Sequence, residues 1–439
     1  MAGAGPATVS ADIAHPAATE CAGALIWTGC LLPPAAHGTA APRFALVAGE
    51  ASGDLLAGHL LDALRQRWPG LEAVGIGGAE MAARGFEAWW PVEKLSVRGY
   101  LEVLARLPEL LRLRRRLGDR LLAERPDLFI GVDAPDFNFD LEVRLRTAGV
   151  RTLHFVSPSF WAWRPEKLAK LRRAADHVLC LFPFEPELLA EAGIAATYVG
   201  HPLASAIPLV PDRAAARHAL GIPDGVPVVA LLPGSRAAEV EHLAGRFLRA
   251  AARISQAQAD VRFLLPAVPH LLARVETAVR ASGLGPAVTV LRGQSHAALA
   301  ACDVTLIASG TATLEAALFK RPMVIAYAMP RLSYRLMRRQ RQLPWVGLPN
   351  VLCAPRAWLR RPTGMTAWQA ADRPDAPFVV PELLQDAATP EALARAVLDW
   401  LAAPAKMAAL EARFRDLHEE LRRDTARLAT DAIETLLAR

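Results

Sequence analysis

Leu128-Phe129-Ile130-Gly131-Val132-Asp133-Ala134-Pro135-Asp136-Phe137-Asn138 passes from a short apolar run into a polar, proline-marked turn. Five apolar residues bounded by a turn read as a strand buried on both faces. Such a strand needs helices above and below it, so this stretch argues for an α/β fold. The same order of apolar run and turn recurs along the chain. Residues 44–48, 73–77, 151–156 and 177–181 read as further strands, with helical segments between most of them, one over 55–68. After the Pro-rich stretch 202–211 a second series begins, with strands at 226–232, 262–266, 288–291, 304–307 and 323–326. Strands and helices alternating at this spacing imply open, mostly parallel sheets. The expectation is two Rossmann-like, doubly wound domains facing a cleft, residues 43–205 and 206–385, with C-terminal helices over 386–439.

The chain has 439 residues, 53% of them hydrophobic, enough for two or three domains with a large core, which excludes global disorder. No stretch reaches about 18 uninterrupted apolar residues, which excludes a membrane-spanning helix. Lysine occurs only at 94, 167, 170, 320 and 406, so nearly all of the 50 basic side chains are arginine, against 44 acidic ones. Arginine's planar fork suits phosphates. GC-rich coding also inflates arginine and alanine, so composition alone names no partner. Five scattered cysteines without a CxxC pair argue against a disulfide framework and a zinc site, and for a reducing cytoplasm. Residues 1–42 hold no Lys or Arg, and the apolar patch at 22–32 lacks the basic flank of a signal peptide. They read as a disordered extension or a misassigned start.

In open α/β sheets, ligands sit beyond the carboxyl ends of the strands, so chemistry is sought in the loops there. Glu50, Ser52 and Asp54 follow the first strand, with glycines that permit close approach to an anion. Asp54 either faces a ligand or caps its own helix. Asp133 emerges where its strand ends and can serve as general base on an alcohol, or cap a turn, as can Asp136. Trp161, Trp163 and Arg164 either wall a sugar or acyl site or pack. In the second series, Gly234-Ser235-Arg236 has the composition of an anion-binding turn; Arg236 pairs with a diphosphate or bridges to Glu239 or Glu241. Ser309, Gly310 and Thr311 open a helix whose amides can receive a phosphate. Glu315, one turn on, either accepts from ribose hydroxyls or is an ordinary first-turn acid. Neither HExxH nor GxSxG occurs, so no metal and no serine nucleophile is expected. His154, His177, His201 and His296 stand singly and read as structural.

Taken in order, VAGEASGD, GVDAPDFN, VSPSFWAWR, LLPGSRAAEVE, ASGTATLE and GLPN resemble the lipid-A-disaccharide synthases over residues 43–355. The resemblance implies the GT-B glycosyltransferase fold and an inverting transfer without cofactor or metal. UDP-2,3-diacylglucosamine and 2,3-diacylglucosamine 1-phosphate would give a β-1,6 disaccharide 1-phosphate and UDP, a step toward lipid A of Gram-negative outer membranes. It implies Asp133 as general base and Arg236, Ser309, Gly310, Thr311, Glu315 and Asn350 around the UDP-sugar. Glu50, Ser52, Asp54, Trp161 and Arg164 would fall on the acceptor side. It also suggests a homodimer with exchanged C-terminal segments and a cytoplasmic location on the inner face of the inner membrane; no nucleic-acid partner is expected, because the basic residues are not interleaved with a stacking aromatic platform.

Phe160, the stretch 356–381 and the 42-residue N-terminus depart from the family pattern, which bears on acyl preference. Residues 100–126 carry Leu101, Leu104, Leu107, Leu110 and Leu111 edged by arginines; they form an interfacial helix or an ordinary amphipathic helix on the sheet. Residues 331–361 hold arginines and no acid, suited to a diphosphate, an acceptor phosphate or anionic lipid. The alternative activities are other UDP-sugar enzymes of the same fold, a peptidoglycan lipid-intermediate transferase or a UDP-N-acetylglucosamine 2-epimerase. The GVDAPDFN and SPSFWAWR pair argues against both.

Overall fold

Strand β1 (Arg43–Ala48) lies between β2 (Glu72–Gly77) and β4 (Leu128–Val132), and every residue of β4 is buried. The computed structural model describes residues 41–95, 100–162, 164–360 and 375–439. Adding β3 (Glu87–Pro91), β5 (Arg151–Phe155), β6 (His177–Cys180) and β7 (Ala196–Tyr198) gives a seven-stranded sheet, ordered β3-β2-β1-β4-β5-β6-β7. The second sheet is ordered β10-β9-β8-β11-β12-β13. It comprises β8 (Val228–Leu232), β9 (Arg262–Ala267), β10 (Val288–Arg292), β11 (Val304–Ala308), β12 (Met323–Tyr327) and β13 (Glu382–Leu384). Every recorded pairing is parallel. In both sheets the order reverses beside the first strand, between β1 and β4 and between β8 and β11. Those switch points are where ligands of doubly wound sheets bind.

The expected strands are present, and three more complete the edges. β3 carries Glu-Ala-Trp-Trp-Pro and is half exposed; β7 and β13 have three residues each and are only partly buried. Edge strands are solvated on one side, so they carry no long apolar run for a sequence reading to find. Helix α1 (Ala51–Arg67) starts before the expected Leu55, which puts Ser52 and Asp54 in its first turn. Helix α2 (Ala79–Ala82) follows β2. Helix α3 (Tyr100–Glu124) contains Pro108, and α4 (Pro135–Thr147) starts at the proline of the Asp133 turn. The Pro-rich stretch is not merely a linker, because α5 (Pro202–Ala206) lies within it, capped by the His201 side chain.

In the second half α6 (Ala237–Ala257) buries a long apolar stripe from Val240 to Ile254. Helices α7 (Thr311–Leu318) and α8 (Leu348–Leu352) follow. The C-terminal helices are not a separate layer. Helix α9 (Pro390–Leu401) buries Leu393, Val397 and Trp400 in the larger core. Helix α10 (Pro404–Leu421) leads back to the first half, where His201 N donates to Leu421 O at 2.9 Å. Helix α11 (Thr425–Leu437) then places Ala429, Ile433 and Leu436 in one cluster with Phe44, Leu46 and Leu61 of the first sheet. A second tie joins the halves where Gln342 N donates to Ala162 O at 2.9 Å. Among the described residues no helix is long and apolar enough to cross a membrane. The N-terminal extension to residue 40, Trp163 and the part of the expected insertion over 361–374 lie outside the described residues.

Candidate active site

A cavity of about 400 Å³ opens at the β1/β4 switch point. Asp133, Glu50, Asp136 and Arg114 line its polar side; Leu95, Leu107, Leu110, Leu111 and Phe137 line its apolar side. Asp133 and Ala134 both take left-handed backbone, with φ of +52° and +45°. Each non-glycine residue held this way costs on the order of 1–3 kcal/mol, and such strain concentrates at functional positions. The Asp133 amide donates to Phe155 O at 2.9 Å, and Asn138 Nδ2 donates to Asp133 O at 2.8 Å, which fixes the turn from both sides. Leu107 and Leu111 are 41% and 45% exposed, uncommon for large apolar side chains. Further along α3, Leu113, Leu117 and Leu121 are buried against the sheet. The latter half of the helix packs on the sheet, as the ordinary amphipathic reading has it, while Leu107 and Leu111 face outward. Leu101 and Leu104 have no described side chains.

Arg164 stands at the rim of this region. Its guanidinium lies 3.4 Å from Asp136 and 3.3 Å from Glu166, and Lys167 reaches the same Asp136 at 3.0 Å. Arg114 pairs with Asp140 at 2.7 Å and donates to Asp136 O. Burial pushes the Asp140 carboxyl up, but Lys170 and Arg114 outweigh it and hold it below its ordinary value.

A second cavity, of about 410 Å³, lies at the β8/β11 switch point. Arg236, Ser309, Gly310, Thr311 and Glu315 line it, as expected, joined by Gly234, Ser235, Glu239, Pro266, Val268, Gln294 and Ser295. Gly310 caps α7, and Thr311 and Ala312 of its first turn line the cavity. Ser309 Oγ donates to Val346 O at 2.7 Å, which fixes the hydroxyl. Of the two readings left open for Arg236, the bridge to Glu239 is realised, at 3.1 Å. Glu239 also accepts from the amides of Ser235 and Arg236, at 3.1 and 3.3 Å. A side chain at Gly234, which has φ +115°, would run into that carboxylate. The turn's amides are thus already met, and the guanidinium, 65% exposed, is the part left to reach a ligand. Glu315 pairs with His296 at 3.5 Å, and that contact raises the imidazole pKa above 6.5.

Three expected site residues have other contacts, and a fourth, Ser52, lies apart from both cavities. Asp54 is buried, does not cap its own helix and lines neither of these two cavities. Its carboxylate accepts from the amides of Gly78, Glu80 and Met81 at 2.7, 2.9 and 3.3 Å, so it clamps the start of α2. Ser52 is exposed on α1 and lines neither cavity. Trp161 is buried rather than walling a site. Its indole donates to Glu185 at 3.1 Å and stacks edge-on against Phe184. Burial lifts that Glu185 carboxyl to about 8, against hydrogen bonds from Trp161 and the backbone that pull it down. Asn350 is 1% exposed and consumed by structure. It donates to Val380 O and Glu382, and accepts from the amides of Val379 and Val380.

Sequence reading missed the Ser235 and Arg236 amides as donors to Glu239, Gln294 and His296 beside Glu315, and a buried trio under Asp133. In that trio His154 Nδ1 lies 2.7 Å from Glu142 Oε1, both side chains 0% exposed, and Asn138 is buried next to them. The signal was an Asn and a Glu one turn apart on α4 and a lone His inside β5. The acid-free stretch also reads differently in three dimensions. Arg356 meets Glu420 at 3.4 Å and Arg360 meets Glu187 at 2.7 Å, so its acids come from elsewhere in the fold.

The sequence profile of the lipid-A-disaccharide synthetase family matches residues 44–358. The lipid-A-disaccharide synthase of Albidiferax ferrireducens is 60% identical over 90% of this chain and 97% of its own length. That of Verminephrobacter eiseniae is 57% identical over 90% and 97%. The chain belongs to the lipid-A-disaccharide synthase family. It is accordingly a glycosyltransferase of lipid A biosynthesis. Solved structures share the GT-B fold at low identity. The UDP-GlcNAc 2-epimerase of Neisseria meningitidis has a TM-score of 0.55 and 10% identity, covering 91% of this chain and all (100%) of that one. The calicheamicin glycosyltransferase CalG4 has a TM-score of 0.55 and 15% identity, covering 91% and 98%. A likeness at that identity is one of fold alone, so neither the epimerase nor the peptidoglycan-transferase alternative is favoured over lipid-A-disaccharide synthesis.

Proposed function

We propose that the cavity at Asp133 holds 2,3-diacylglucosamine 1-phosphate as acceptor, and that the cavity at Arg236 holds the UDP part of UDP-2,3-diacylglucosamine. The observation that carries this reading is the composition of the first cavity. A strained carboxylate, an arginine and an apolar wall with outward-facing Leu107 and Leu111 share one space. A phosphorylated sugar bearing fatty chains needs all three. Alkyl chains covering such leucines gain about 25 cal/mol per Å². Arg114, with Arg164 and Lys167 close by on Asp136, supplies cations for the acceptor phosphate.

Asp133 removes the proton from the acceptor 6-hydroxyl as its oxygen attacks the donor's anomeric carbon. The bond from that carbon to the diphosphate oxygen breaks, and its electron pair leaves with UDP. Attack from the face opposite UDP inverts the anomeric configuration to β. Arg236 and the first amides of α7 receive the charge that develops on the diphosphate. Glu315 accepts from the ribose hydroxyls.

The acyl substrates bring the enzyme to the inner face of the inner membrane. The outer part of α3, with Leu107, Leu111, Arg112, Arg115 and Arg116, supports peripheral contact there. A homodimer would form by exchange of α11, whose Ala429, Ile433 and Leu436 dock on the first sheet's core. The test is reconstitution in mixed micelles with both diacyl substrates. The expected result is stoichiometric UDP and a β-1,6-linked disaccharide 1-phosphate. Turnover of acyl-free acceptors only, or epimerisation of UDP-N-acetylglucosamine, would overturn the reading.

A further inference from the structure

We infer that Asn138, Glu142 and His154 form a positioning unit that holds the Asp133 carboxylate in place for proton abstraction. The inference rests on the reading of Asp133 as the base.

The three side chains converge on Gly131, two residues before Asp133. His154 of β5 is the register partner of Gly131 of β4. Glu142 and Asn138, one turn apart on α4, crowd the same Cα. A Cβ added at Gly131 would lie 2.1 Å from Glu142 Oε1 and 3.1 Å from Asn138 Cβ. Gly131 thus admits the carboxylate where any other residue would displace it. His154 Nδ1 meets Glu142 Oε1 at 2.7 Å, and Phe139 sets the imidazole plane edge-on at 4.9 Å between centroids. Asn138 Nδ2 reaches Asp133 O at 2.8 Å and Val47 O at 3.3 Å, so it binds the strained turn to β1. The residue after His154, Phe155, accepts from the Asp133 amide. Both anchors of the left-handed turn therefore lead back to this trio.

Packing alone does not account for these residue types. Leu141 and Leu145 of the same helix are as deeply buried and apolar. The trio instead buries an acid, an imidazole and an amide at 0% exposure. Asn138 Oδ1, Glu142 Oε2 and His154 Nε2 have no hydrogen-bond partner among the described residues. Burying polar atoms at such cost beside a strained backbone is the mark of a site held for function rather than stability. The unit touches neither substrate. It acts through the backbone of Asp133, setting where the carboxylate points.

The test compares Asn138→Ala, Glu142→Gln, Glu142→Ala and Leu145→Ala in the full chain, by thermal unfolding, steady-state kinetics and the acidic limb of the kcat profile. Leu145→Ala removes core packing from the same helix and sets how much activity a stability loss alone removes. The expected result is that Asn138→Ala lowers kcat 10- to 100-fold, leaves both KM values within twofold, and moves the acidic limb. Glu142→Gln, which keeps shape and a hydrogen bond, retains most of the kcat that Glu142→Ala loses. Added to Asp133→Asn, Asn138→Ala causes no further loss. If Asn138→Ala fails to fold, the Glu142 pair gives the same comparison. The inference is overturned if these variants keep kcat within twofold, or if Leu145→Ala loses as much kcat at an equal drop in Tm. Near-normal turnover in Asp133→Asn would instead overturn the assignment of the base on which the inference rests.

Discussion

Beneath Asp133 the supporting polar side chains are sealed from water, whereas the arginine of the donor cavity stands in it. Asn138, Glu142 and His154 are 0% exposed, while Arg236 is 65% exposed. The two cavities are nearly equal in volume and sit at equivalent switch points of two sheets of the same kind. The difference follows from what each must do. A base acts only when held to within a fraction of an ångström, so its supports are dry and rigid. A diphosphate carries its own charge and can be gathered by mobile, solvated cations and helix amides.

Asn350 is the sharpest challenge to that contrast, because it is a sealed polar residue in the donor-side half. Its duty is to anchor Glu382 and the chain at Val379–Val380. Asn350→Ala leaves the buried Glu382 carboxylate short of a donor and should cost about 2–4 kcal/mol in urea unfolding. Activity per folded molecule should be unchanged. A kcat loss beyond the unfolded fraction would make the donor side as preorganised as the acceptor side.

Arg236→Ala comes next. Loss of one charge-assisted contact should weaken UDP binding about tenfold, and added salt should narrow the gap. Stability should move by less than about 0.5 kcal/mol, because an exposed pair with Glu239 contributes little. Calorimetric titration of UDP at two salt concentrations checks both.

The smallest effect is a pH slope. Burial lifts the Glu185 carboxyl from 4.5 to about 8 in the folded chain. Between those values the folded state keeps a proton that the unfolded state has released, so stability is full below 4.5 and falls as pH rises toward 8. Glu185→Gln should flatten that fall in Tm. An unchanged slope would show that Glu185 is not the dry group its surroundings imply.

The sheets were legible because buried parallel strands are short apolar runs, and β4 and β8 announce themselves. β3, β7 and β13 were not, since short edge strands with solvated residues such as Glu87 carry no such pattern. Candidate residues placed by their own loop, among them Asp133, Arg236, Gly310 and Glu315, line the two cavities. The structural duties of Asp54, Trp161 and Asn350 could not be read locally because their partners lie 24 to 32 positions away in sequence, at Gly78, Glu185 and Glu382. Local spacing cannot tell a carboxylate aimed at a ligand from one aimed at a distant amide.

The central claim is that Asp133 does chemistry and leaves nucleotide capture to the other sheet. It is tested most directly by Asp133→Asn, which keeps the side chain's size and tolerates the left-handed backbone. The measurement is turnover and UDP titration on the same preparation. The account predicts a fall in kcat of about 10²–10⁴-fold with the UDP Kd within threefold of wild type. Turnover within tenfold of wild type, or UDP binding lost together with turnover, would contradict it.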